Sequence, residues 1–281
     1  MKYELQTIPV WDAYEHEADC PLCFLQDALE TEYQRFFLGN AVMAPEMRVE
    51  VNKIGFCAEH FDLLFRGANR LGLGLMTQTY LEARCERFQA ARRALERAAH
   101  AENERTQQRG NSLRRRRGTL RGLLGLTALS RHFSGRRGGG RGRGGRFASR
   151  VSELIEALRG EQETCMICRR LETSIANYAF TILTLYRSEP EFVETFRASR
   201  GFCLPHLRTM LEVSTDVLSD RDLSAWLTDL FDIHDSSVDE LSKLLEEMTQ
   251  RYDYRSTEPV TEALKASVPR AIEKLVGRFR R

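Results

Sequence analysis

No stretch of this 281-residue chain approaches the roughly 18 consecutive apolar residues of a membrane-spanning helix, so a helical membrane protein is excluded. The opening MKYELQTIPVWDAYEHEADC lacks the basic start and apolar stretch of a secretory leader, and the expectation is a cytosolic protein. Alternation of Val, Ile, Thr and aromatic residues is sparse, which argues against sheet and for an all-α fold. Haem attachment through CxxCH is excluded as well, because Phe24 and Arg169 follow the two CxxC pairs. A local absence is the sharpest. From Arg105 to Ser152 the chain has 14 arginines and no acidic residue, so the formal +2 of the whole chain leaves −12 for the remainder. Two acidic bodies joined by a cationic strap is the organisation this implies.

What is present begins with a repeat. Cys20-Pro-Leu-Cys23 is followed after 33 residues by Cys57-Ala-Glu-His60, and Cys165-Met-Ile-Cys168 after 34 by Cys203-Leu-Pro-His206. Each CxxH sits in a Gly-Phe-Cys-x-x-His stretch. In the reducing compartment expected here, such spacing favours metal or thiol chemistry over disulfides. Three thiolates and an imidazole make a closed tetrahedral donor set for Zn²⁺. The reading is two zinc sites, one of Cys20, Cys23, Cys57 and His60, the other of Cys165, Cys168, Cys203 and His206. An iron–sulfur cluster is the less favoured metal reading, since such clusters more often take four cysteines.

Between each CxxC and its CxxH lies a helical pattern. Leu22, Leu25, Leu29, Tyr33, Phe36 and Phe37 recur at steps of three and four before Gly39-Asn40, and Leu171, Ile175, Tyr178, Ile182, Leu185 and Tyr186 before Ser188-Glu189-Pro190. Short return helices are expected from Pro45 to Val51 and from Pro190 to Phe196, each opened by proline. Further helical pattern is expected after each CxxH, from His60 through Leu81 into the stretch ending at Arg105 and from Ser219 or Asp220 to Met248, with a last helix from about Val260 or Ser267 to Phe279. The domain expectation is residues 1–108 and 151–281 as two pseudo-repeated zinc-clasped helical units, joined by a disordered Arg/Gly-rich linker over 109–150.

The linker offers a second function. Arg114, Arg115, Arg116, Arg117, Arg136, Arg137, Arg141, Arg143 and Arg146 could hold nucleic acid through phosphate contacts and counterion release. A plain solvated linker is the reading preferred over it, because only Phe133 and Phe147 lie nearby to stack on bases. A third reading is thiol redox chemistry at the CxxC pairs, which leaves the CxxH stretches without a task. Glu59 has Pro205 as its counterpart and reads as a helix-surface residue, not a general base. Gly140, Gly142 and Gly145 match GxGxxG by composition alone. His234 between Asp232 and Asp235 reads as part of a polar helix face, and Cys85 as a buried or half-buried spectator.

The combination of TIPVWDAYE, CPLC, GFCxxH followed by NRLGLGL, a second CxxC with GFCxxH, and YDYR resembles an uncharacterised bacterial family. Its members are filed under a domain of unknown function and sometimes labelled substrate-binding proteins of ABC transporters. The resemblance covers almost the whole chain outside the arginine-rich segment and brings no activity with it. The expected role is a non-enzymatic binding or scaffold protein.

Overall fold

The computed structural model describes residues 7–16, 18–121, 146–162, 165–251 and 259–278. Among them the regular elements are helices only. They are α1 (Ile8–Glu15), α2 (Pro21–Leu38), α3 (Asn40–Met43), α4 (Pro45–Ile54), α5 (Ala58–Arg66), α6 (Arg70–Arg121), α7 (Arg146–Gln162), α8 (Met166–Ser188), α9 (Pro190–Ala198), α10 (Leu204–Val217), α11 (Asp220–Arg251) and α12 (Glu262–Val276). The expected return helices are α4 and α9, each with its proline in the first turn. None of the helices is long and apolar enough to cross a membrane.

The chain divides into two compact units, Met1–Phe37 with Met166–Arg281, and Leu38–Cys165. These are not the expected segments 1–108 and 151–281. The first unit is discontinuous, because α2 is built in with α8. Tyr33 on α2 meets Ser174 on α8 across 2.8 Å, and the Arg170 guanidinium lies 5.0 Å from the Phe36 ring centre and 5.4 Å from that of Phe37. The last turns of α2 thus lie beside the first turns of α8.

An aromatic cluster forms the core of this unit. Trp226 on α11 is fully buried, 4.6 Å from Phe196 and 5.0 Å from Tyr186 between ring centres. Trp11 and Tyr14 of α1 meet Phe192 edge-on at 5.1 and 5.0 Å, so the TIPVWDAYE motif is a packing element. At the rim, Tyr186 donates to Asp229 and Arg197 pairs with the same carboxylate at 2.8 Å. That hydrogen bond and, before it, burial push the Tyr186 hydroxyl up to about 12.

In the second unit α3 and α4 pack on the start of α6, burying Val42, Val51, Leu73 and Met76. Asn69 caps the start of α6: its Oδ1 accepts from the Gly72 amide at 2.8 Å and its Nδ2 donates to the Leu38 carbonyl at 2.6 Å. A side chain on Gly72 would meet Val42 at 2.9 Å, which explains the first glycine of NRLGLGL.

Helix α6 runs 52 residues, and α7 begins at Arg146. Of the expected disordered linker, residues 109–121 and 146–150 are therefore helical. Arginine is a good helix former, so the run Arg114–Arg117 does not end the helix. Residues 122–145 lie outside the described part, and with them Arg136, Arg137, Arg141, Arg143 and the GxGxxG match.

Candidate metal centres

All four ligand pairs are built in the same local way. Cys57 and Cys203 are the N-cap residues of α5 and α10, in extended backbone conformation, and His60 and His206 follow in the first turn. Cys20 and Cys165 stand one residue ahead of α2 and α8, with Cys23 and Cys168 in the first turn. A spacing of three across a helix start turns both side chains to one side.

The Gly-Phe pair ahead of each CxxH sets the entry angle. Gly55 and Gly201 have φ of 75° and 72°, the left-handed region that glycine occupies without strain. A side chain at Gly55 would also run into Tyr80, and one at Gly201 would meet Ile233 at 3.1 Å. Phe56 and Phe202 then enter the core, at 7% and 1% exposure. The chain is held on both sides of the turn, and the cysteine that follows has little freedom.

The eight expected ligands come together in two groups, but not in the expected pairs. Cys20, Cys23, Cys203 and His206 form one cluster, and Cys57, His60, Cys165 and Cys168 the other, with the ligand atoms of each within 4.8 Å of one another. Each CxxC is completed by the CxxH of the other repeat. The grouping within one repeat is overturned, and helix length gives the reason. Helices α2 and α8 carry the chain about 27 and 34 Å from their cysteines, while the return helices α4 and α9 recover only about 15 and 14 Å. Because the end of α2 lies beside the start of α8, the chain leaving α2 sets out from the end where Cys168 stands, not from the end of Cys20 and Cys23.

The distances suit a single ion. His206 Nδ1 lies 3.4, 3.3 and 3.2 Å from the sulfurs of Cys20, Cys23 and Cys203, and the last two sulfurs are 3.6 Å apart. Bond lengths of ~2.3 Å to sulfur and ~2.0 Å to nitrogen give tetrahedron edges of about 3.5 to 3.8 Å. In the second cluster His60 Nδ1 is 3.1 Å from Cys57 and 3.3 Å from Cys165. Both histidines thus present Nδ1, and both are buried, at 3% and 8% exposure.

Electrostatics in the first cluster run the same way. Burial alone would raise the Cys20 thiol, but hydrogen bonds from Cys203, Cys23 and His206 outweigh it and hold Cys20 well below its ordinary value. Cys23 moves up, through its hydrogen bonds to Cys20 and Cys203 and through burial. For His206, burial is outweighed by its hydrogen bonds to Cys20 and Cys203, which raise it to about 10. The sulfurs compete for protons, the situation a cation resolves.

Around this cluster α12 supplies positive charge that sequence reasoning missed. Lys274 is 5% exposed and donates to the Arg200 carbonyl at 2.8 Å and to Ser237 at 3.0 Å. Burial lowers its pKa against the pull of Cys20 and Asp19. Arg270 grips Asp19, the neighbour of Cys20, at 2.8 Å, and Arg278 pairs with Asp27 and Glu30 of α2. Gly277 ends α12 with φ of 80°, in the left-handed region that favours glycine, and lies against Pro205 and Cys203. The only signal in the sequence was a basic helix with glycine at its end, too common to single out.

The remaining candidates fall outside the clusters. Glu59 is exposed on α5. His234 is half-buried and Asp232 and Asp235 are exposed, so no second ligand group forms there. Cys85 is exposed, contrary to the expectation of a buried or half-buried residue. Arg114 to Arg117 fall within α6 and Arg146 opens α7, but their side chains lie outside the described part.

Two Cys3His clusters that can each take one metal ion, in an all-helical chain, are therefore the chemistry on offer. No curated protein and no solved structure matches the chain. The model of one family matches residues 1–281 throughout, and the chain belongs to that family of unknown function, DUF6062.

Proposed function

We propose that each cluster holds one zinc ion as a closed structural site, and that the protein is a zinc-clasped, non-enzymatic binding or scaffold module working in the cytosol. The observation that carries this is the donor set: four protein ligands within 4.8 Å in each cluster leave no coordination position for water or substrate. Three thiolates favour a soft or borderline ion over magnesium or calcium. The 3.6 Å between the Cys23 and Cys203 sulfurs is the edge of a tetrahedron around one ion, whereas a core of several iron and sulfide atoms would hold its cysteines further apart. Thiol redox chemistry asks nothing of the histidines, yet each is buried against the cysteines.

Elemental analysis of the full chain, purified under reducing conditions, tests the reading. About two zinc ions per chain are expected, with loading that weakens as pH falls, because the ligands must lose protons to bind. Stoichiometric iron, or a chain that carries no metal and takes up none, would overturn it.

A further inference from the structure

Beside the first cluster lies a cavity of about 220 Å³ whose walls include Cys20, Cys23 and Cys203, with Phe24 next to them. His206, the fourth member of the cluster, is not among the residues that line it, so the cavity lies outside the sulfurs and is not the seat of the ion itself. The three sulfurs are not equally open to it. Cys20 and Cys203 are 5% and 1% exposed, whereas Cys23 is half-buried. Cys23 is the ligand that a molecule in the cavity meets first.

The walls limit what enters. Asp19, Asp27 and Glu273 stand along them with Lys274 and Arg278, and Asp19 and Asp27 are themselves paired with Arg270 and Arg278. Neither sign prevails, so a small uncharged molecule suits the space better than an anion or a cation. Lys274 spends two of its three N–H groups on the Arg200 carbonyl and Ser237, which leaves one for a group in the cavity. A cysteine that holds a metal ion is a thiolate, the form that attacks electrophiles.

We infer that Cys23 is an oxidation site for hydrogen peroxide admitted through this cavity, and that its oxidation opens the first cluster. The inference rests on the zinc reading above. The Cys23 sulfur attacks one peroxide oxygen: an S–O bond forms, the O–O bond breaks, and the second oxygen departs as hydroxide beside the Lys274 ammonium, leaving a sulfenic acid. The Cys203 sulfur, 3.6 Å from that of Cys23, then attacks it: an S–S bond forms, the S–O bond breaks, and a second hydroxide leaves. Two thiolates give up two electrons, the peroxide takes them, and the hydroxides draw protons from solvent. Only Cys20 and His206 then remain as ligands, and the ion is released until a thiol reductant restores the set.

The full chain carrying Cys85→Ser, which removes the exposed thiol outside the clusters, tests this after its zinc content has been measured. It is treated with limiting hydrogen peroxide, free thiols are blocked, and bridges are mapped by mass spectrometry while a dye follows zinc. Zinc release alone would not decide, because Cys57 and Cys168 of the other cluster are half-buried too. A Cys23–Cys203 bridge should form together with zinc loss and be reversed by reductant and zinc. Ala18→Leu, which fills the cavity from its wall, should slow the bridge severalfold at unchanged starting zinc; Ala18→Val is the milder variant should leucine lower the loading. A zinc-loaded chain in which Cys23 stays reduced, bridges to another cysteine, or reacts as fast with the cavity filled would overturn the inference and leave the zinc reading standing. A chain without zinc at the start would overturn both.

Discussion

A chelator that strips both ions is expected to cost the chain most of its helical circular dichroism at ambient temperature. Metal binding at structural zinc sites is worth on the order of 10–16 kcal/mol in apparent terms, and whole domains are stable by only about 5–15 kcal/mol. The local geometry says why the loss should be large. Each cluster gathers two helix starts, α2 with α10 and α5 with α8, and without an ion three cysteines are left crowded around a buried histidine. The first cluster also neighbours Lys274, a buried ammonium whose nearby negative charge is that of Cys20, Asp19 and Cys203. The measurement is far-ultraviolet dichroism under reducing conditions before and after chelation, with readdition of zinc. A helical signal that survives complete metal removal would show that the clusters do not hold the fold.

Truncating Trp226 to alanine should be the most damaging single change in the first unit away from the ligands. Its ring is fully buried and contacts Phe196 and Tyr186. Large-to-small changes of this kind cost about 3–5 kcal/mol, through lost transfer energy and the cavity left behind. Phe196 also faces Phe202, the residue next to Cys203, at 6.3 Å. Slack in the core therefore reaches a metal ligand, and urea unfolding followed with a zinc-sensitive dye should show zinc released at a lower midpoint than in the wild type. An unchanged midpoint would mean that the cluster does not carry the stability its burial implies.

Most of the helices, the two return legs and the eight cysteines and histidines that gather in the clusters were legible in the sequence, because each leaves a local trace: apolar steps of three and four, a proline at a helix start, a fixed interval between thiols; α1, α3 and α7 were not read from it. The pairing of the ligands leaves none. It follows from α2 lying beside α8 with its end at the other's start, a relation carried by Tyr33, Ser174 and Arg170, which look like ordinary surface residues in a one-dimensional reading. The same relation makes the first unit discontinuous, so a division drawn in chain order could not find it. The arginine run misled in the opposite direction, since composition marks it as linker while arginine's own helix preference lets α6 continue through it.

The crossed pairing is the claim on which the account turns, and metal stoichiometry in two quadruple variants tests it directly. With Cys20→Ser, Cys23→Ser, Cys203→Ser and His206→Ala, one cluster is erased and the other left whole, so one tightly held ion per chain should remain. With Cys20→Ser, Cys23→Ser, Cys57→Ser and His60→Ala, both clusters are broken and none should remain. Pairing within each repeat would reverse the two results, and that reversal would contradict the account.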